Sequence, residues 1–187
     1  MNQTRGEWFR GTSNIVWAVI ALAAVAALVI GDATAGWHPP VTFGALLFGI
    51  VAYAAFLRPR VGVEDGDLVV RRLYSTQRVP VAAVETVTIG RTFEATAGGR
   101  HYVSSAVMRP LRQALTLKGD PTPEKSYPDF VESRILRLAD DARAAAGVRW
   151  ESEAQWALAE DVRRTWAWPL IGLTLAVAVA FVVALVV

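Results

Sequence analysis

Few residues between positions 58 and 165 have side chains suited to covalent chemistry. His101 is the only histidine in that stretch. A triad or general-base arrangement would need His101 with Ser104 or Ser105 and Asp120, and the spacing does not set a nucleophile against a base. A histidine at a strand end reads as structural or solvent-facing. Glu64, Asp65 and Asp67 gather three carboxylates. Their spacing is not that of a calcium loop, and Asp65-Gly66 is acidic for turn reasons alone. Gly98-Gly99 lacks the lysine and the following helix of a phosphate loop. The chain has no cysteine, which removes disulfides, thiolate zinc sites, iron–sulfur clusters and thiol nucleophiles. The expectation is a protein that is not an enzyme and holds no metal or cofactor.

Binding chemistry is better represented. Arg58, Arg60, Arg71, Arg72, Arg78 and Arg91 lie in one stretch of β-type sequence. A basic group close to an anionic leaflet contributes about 1 kcal/mol, so these six are the candidate contacts to lipid or to a partner protein. The plainer reading makes Arg58 and Arg60 the charges that stop a spanning helix, and the other four solvated strand positions. Residues 58–125 carry eleven Lys or Arg against seven Asp or Glu, and residues 126–165 carry six against eight. The first half is mildly basic and the second mildly acidic. No nucleic-acid partner is expected.

These residues are positioned by three apolar runs. Apolar types make up 53% of the 187 residues. They concentrate in Ile15 to Ile30, Val41 to Leu57 and Trp166 to Val187, none of which holds a charge. A helix needs about 20 residues to cross roughly 30 Å of hydrocarbon. Three transmembrane helices follow, at about 14–31, 41–57 and 166–187. Thr42, Tyr53 and Thr174 are the polar residues in the runs, too few for a transport path. Arg5 and Arg10 precede the first run, Arg58 and Arg60 follow the second, and Arg163 and Arg164 precede the third. The loop from Gly31 to Pro40 has Asp32 and His38 but no Lys or Arg. By the positive-inside rule the N-terminus and residues 58–165 are cytoplasmic and Val187 lies outside. Trp8, Trp37, Trp166 and Trp168 stand near the expected boundaries. A competing reading takes the first run with Ala33-Thr34-Ala35 as a cleaved signal peptide, which leaves the placement of residue 58 unchanged. Abundant Arg, Ala and Val with only Lys118 and Lys125 suits a high-GC bacterial genome, so the expected location is a bacterial inner membrane.

The cytoplasmic part changes period midway. Val61-Gly62-Val63 and Leu68 to Tyr74 flank Asp65-Gly66, a hairpin signal. Ser75-Thr76-Gln77 reads as a turn, Arg78 to Pro80 as a short strand, and Val81 to Val84 as a brief helical or irregular turn. Val84 to Arg91 alternates Val84, Thr86 and Thr88 against Glu85, Val87 and Ile89. Phe93 to Ala97 and Arg100 to Ser104 flank Gly98-Gly99. Leu111 to Lys118 favours a strand. From Ser126, as N-cap, a helix carries Val131, Ile135, Leu138, Ala142 and Ala146 and ends at Gly147. That stripe suits packing on the strands or on the membrane. Ser152 is a cap for a second helix bearing Trp156, Ala159, Val162 and Trp166. Pro169 begins or kinks the third span. The plan is 1–57 tail and helical hairpin, 58–120 β domain, 121–165 amphipathic helices and 166–187 third span.

The stretch Arg58 to Pro80 (RPRVGVEDGDLVVRRLYSTQRVP) resembles the bacterial PH-like (pleckstrin-homology-like) domain of small membrane proteins. In that family a spanning helix pair runs into a strand, an Asp-Gly turn, a strand ending in a basic pair and a short strand of the Arg-Arg-Val-Pro type, which here reads Gln77-Arg78-Val79-Pro80. The resemblance covers roughly Arg58 to Lys118. Members often carry a tryptophan just after that proline, where this chain has Val81 and Ala82. The resemblance implies a small β-barrel or sheet capped by the helix from Ser126, and a binding or assembly module. The expected function is a membrane-anchored binding or scaffolding protein that engages membrane lipids, another membrane protein or a second copy of itself. The alternative is an accessory subunit held in a complex mainly by its helices.

Overall fold

A computed structural model describes residues 6–9, 11–109 and 127–186. The expected strand at Leu111 to Lys118, the Ser126 cap, Asp120 and the charges of Arg5 and Arg10 lie outside the described residues. The chain divides into two units. One holds residues 1–11, 59–72 and 76–165, the other 12–58, 73–75 and 166–187.

The second unit is helical. Helix α1 spans Thr12–Ala35, and α2 spans Pro39–Ala52 and continues through a π-helical turn, Tyr53–Leu57. The last helix of the chain, Trp168–Val186, is named α5 below. The three apolar segments, Asn14–Ala35, Pro39–Leu57 and Trp168–Val186, are each long and apolar enough to cross a membrane. At 1.5 Å per residue they reach about 28–33 Å. Pro169 stands in the first turn of α5, where the missing N–H costs no helical bond. Gly44 lies where a Cβ would sit 3.1 Å from the Phe181 ring, and Gly49 where one would sit 3.4 Å from Val25. Both glycines therefore serve contacts between helices of this chain. Asp32 closes the hairpin loop. Its carboxylate accepts from the His38 amide at 2.9 Å and from Thr42 Oγ1 at 2.6 Å.

The first unit carries two antiparallel sheets. Strands β1 (Glu7–Phe9), β2 (Arg60–Glu64), β3 (Asp67–Arg71), β4 (Ser75–Pro80) and β8 (Arg163–Trp166) form one, in that spatial order. Strands β5 (Val84–Ile89), β6 (Phe93–Ala97) and β7 (Arg100–Ser104) form the other. Helices α3 (Tyr127–Ala146) and α4 (Glu153–Leu158) follow. The sheets are open, so the small barrel implied by the resemblance is not the arrangement. The physical reason lies at β4, whose free edge is taken by β8. The chain leaves β4 through a 3-10 turn, Val81–Ala83, and starts a separate sheet.

Turn chemistry sets the hairpins. Asp65 and Gly66 both have positive φ, as do Gly98 and Gly99, the geometry that matches strand twist in a two-residue loop. A bulge between Val84 and Thr86 shifts the register of β5. Val84, Val87 and Ile89 therefore all reach the core, where strict alternation would put Val84 on the opposite face. The polar Ser75–Gln77 stretch is strand, not turn, because it pairs with β3 from Arg71↔Thr76 onward.

The core joins Val61, Leu68, Val70 and Val79 of the first sheet to Phe93, Ala95, Ala97 and Tyr102 of the second. Val131, Ile135 and Ala139 on one stripe of α3 complete it, each with no exposed surface. Burying a Val or Ile side chain contributes about 1.5–3 kcal/mol, so α3 is held by this stripe. Gly147, with positive φ, ends α3. Ser152 caps α4, its Oγ accepting from the Gln155 amide at 3.3 Å. The expected helix through Trp166 stops at Leu158, and residues 163–166 pair as β8 instead.

Candidate functional site: a basic sheet face

Register places two side-chain rows on the face of the first sheet opposite the core, with Val69 fully buried beneath its neighbours. Trp8, Gly62, Val69 and Arg78 are successive partners across β1 to β4. Arg60, Arg71 and Thr76 form the next row. Core residues alternate with these along every strand, as the pleat requires. A third row, Glu64↔Asp67↔Pro80, ends the face at the Asp-Gly turn.

Charge is graded along this face. Arg78 binds Glu64 at 3.0 Å and stands 3.9 Å from Asp67. Arg60 and Arg71, directly opposite each other on β2 and β3, have no carboxylate partner among the described residues. Like charges directly opposite destabilise a strand pair by a few tenths to about 1 kcal/mol. Arg71 recovers part of this by lying over the Trp8 ring, 4.6 Å from its centre. Arg60 does not, and its Nε is buried without a hydrogen-bond acceptor among the described residues.

The indole depends on Gly62. A Cβ there would stand 2.6 Å from the Glu7 carbonyl oxygen and 2.8 Å from the Trp8 ring. Trp8 thus lies flat on the bare backbone of β2, with the Arg71 guanidinium on it. Strand β1 is fixed from its other side by Glu7, which accepts two bonds from Arg134 of α3, the Nε one at 2.9 Å. That pairing lowers the pKa of Glu7 and raises that of Arg134.

Of the six arginines singled out in the sequence, this face gathers Arg60, Arg71 and Arg78. Arg58 belongs to the helical unit and donates from its guanidinium to the Leu73 carbonyl. Arg72 points away, its Nε donating at 2.8 Å to Val103 O of β7. It joins the two sheets. Arg91 is exposed in the turn after β5. Trp8 was not among the sequence candidates. Its signal was an aromatic two residues before an arginine and an apolar run, which reads equally well as a membrane-boundary residue.

The other groups with chemistry are dispersed. His101 Nδ1 lies 2.6 Å from Glu94 Oε1 on the exposed side of the second sheet, and Ser104 Oγ bonds the backbone of Arg71 and Ala106. No group of three metal-ligating side chains occurs among the described residues. No protein-family model, curated protein or solved structure matches this chain, so the meaning of the face rests on its own chemistry.

Proposed function

We propose that the protein is a membrane-anchored binding module of the bacterial PH-like kind, and that it binds an anionic headgroup through Arg60 and Arg71 on the cytoplasmic side. The observation that carries this reading is the opposed arginine pair, whose repulsion and buried Nε an anion between the two guanidiniums would relieve. Two antiparallel sheets followed by a helix on the core support the PH-like assignment. Chain length supports a headgroup ligand. Arg60 stands three residues past Leu57, the end of the second apolar segment, and one residue separates β8 from α5. At no more than about 3.6 Å per residue, Arg60 can stand only about 11 Å of chain from the end of that apolar segment. Trp8 suits the headgroup zone. Arg78 adds little, since Glu64 and Asp67 already neutralise it.

The test is native mass spectrometry of the chain released from nanodiscs of equal neutral and anionic lipid. The wild type is expected to retain excess anionic lipid. At about 1 kcal/mol per basic group, Arg60→Gln with Arg71→Gln should cut that preference by more than tenfold, while Arg91→Gln leaves it intact. Equal retention by wild type and double variant would overturn the reading.

The accessory-subunit alternative has one observation in its favour. Leu22, Val25, Leu46, Gly49, Ile50, Tyr53, Leu170 and Leu173 line an apolar groove of about 370 Å³ in the helical unit. A partner helix seated there predicts a stoichiometric membrane protein that survives detergent and that Leu46→Trp displaces.

A further inference from the structure

A cleft of about 570 Å³ opens in the β unit, away from the basic rows. Glu85, Gly98, Gly99, Arg100, Trp156, Ala159 and Glu160 line it. Three local features build it. The bulge in β5 falls at Glu85 and places that carboxylate at the cleft wall. The two-glycine turn is bare of side chains, and Gly98 approaches α4 so closely that a Cβ would stand 2.6 Å from Ala159 Cβ. The last turn of α4 presents Trp156, which is 50% exposed although it occupies a helix of the packed unit.

The polar groups of the cleft are incompletely used. Glu85 Oε1 accepts from the Gly98 amide at 2.8 Å, and its other oxygen has no partner among the described residues. The Glu160 carboxylate has none there either. Arg100 lines the same space yet pairs with neither acid. Residues 151–161 add Glu151, Glu153 and Asp161 with no Lys or Arg. An aromatic face flanked by two carboxylates is the chemistry that takes a cation, by cation–π attraction and a charge-assisted hydrogen bond together. A guanidinium fits both demands, because it is planar and offers several donors.

We propose that this cleft is a docking site for one arginine side chain of a partner protein, stacked on Trp156 and bonded to Glu85 and Glu160. Arg100 at the rim repels a run of cations, so the site selects a single arginine among neutral or acidic neighbours. The face is separate from the lipid-binding rows and does not need them. The membrane-anchored reading bears only on the partner's source: arginine-bearing cytoplasmic loops of membrane proteins are the basic segments such a module meets most often.

The experiment labels the full chain with 5-fluorotryptophan in neutral detergent, without lipid, so that it stands apart from the headgroup test. The chain has seven tryptophans, and Trp156→Phe identifies the Trp156 resonance by its loss. Titration with acetyl-Gly-Gly-Arg-Gly-Gly-amide is expected to shift that resonance and leave the other six in place. Glu160→Gln should weaken the titration at least about fivefold, with the other six resonances reporting an intact fold. Absence of a shift, an equal shift with acetyl-Gly-Gly-Glu-Gly-Gly-amide, or an unchanged midpoint in Glu160→Gln would each overturn the proposal. Choline shifting Trp156 as strongly as the arginine peptide would also overturn it, assigning the cleft to a small organic cation.

Discussion

Single residues decide the basic face. Trp8 and Arg71 stack only because Gly62 has no side chain, and the clash a Cβ would make is with the backbone oxygen of Glu7 at 2.6 Å. Backbone cannot rotate away as a side-chain tip can. Gly62→Ala should therefore cost on the order of 1–3 kcal/mol, release β1 and reduce the preference for anionic lipid. Thermal unfolding in detergent reads the first effect, and an unshifted midpoint would mean that β1 yields without cost. Tyr102 makes the opposite case. It is 4% exposed, burial pushes its pKa up, and the neighbouring Arg100 guanidinium offsets part of that rise although the hydroxyl makes no bond of full hydrogen-bond geometry. Arg100 is exposed and stays hydrated without the hydroxyl, so removing this poorly bonded group is expected to cost little, and Tyr102→Phe should keep or raise the unfolding midpoint. Such single-residue roles were poorly legible in the sequence. The arginines were visible as charges, but which of them face one another depends on a register that no local pattern states. Trp156 read only as one residue borne by a second helix, and the structure leaves it half exposed beside a cleft.

Elements were legible where they carry their own signal. The Asp65-Gly66 and Gly98-Gly99 hairpins, the α3 stripe with its Gly147 stop and the Ser152 cap all announce themselves through residue type and spacing. Strands β1 and β8 do not. They are three and four residues long, too short for a period, and β8 is exposed throughout. Their existence depends on edges that other parts of the chain provide. The bulge at Glu85 likewise defeats a simple alternation count. Strand β1 is also the element whose attachment depends on pH. Glu7 and Arg134 join residues 127 positions apart, and the pairing lowers the Glu7 pKa below its ordinary 4.5. For a carboxylate with a depressed folded-state pKa, the stabilisation is fully present above the unfolded value. It is lost as pH falls through the folded value. Both side chains are partly exposed, at 40% and 34%, so the contribution is small. The protection of the Trp8 amide, its exchange rate divided into the intrinsic rate at each pH, should thus be constant above about pH 5 and fall below pH 4.5, with Glu7→Gln removing the dependence. Protection that falls equally in Glu7→Gln would assign the effect to other carboxylates.

At the scale of the whole molecule, the two units present different surfaces. The helical unit shows apolar side chains outward: Val179, Val182, Val183 and Leu185 of α5 are each more than half exposed. An apolar surface so continuous suits a bilayer and not water. The β unit buries its valines and turns arginines and acids outward, as a water-facing domain does. The arginines flanking the apolar segments then predict the sidedness, with the hairpin loop outside and the sheets in the cytoplasm. The absence of native cysteine makes this directly testable, because each introduced thiol reports alone. Thr34→Cys, exposed near the end of α1, should react with a membrane-impermeant maleimide on intact cells. Thr92→Cys, exposed in the turn between β5 and β6, should react only after lysis. The reverse pattern would place both candidate sites outside the cell. The opposed arginines would then face the outer leaflet, and the Trp156 cleft could not meet the cytoplasmic loops proposed as its partners.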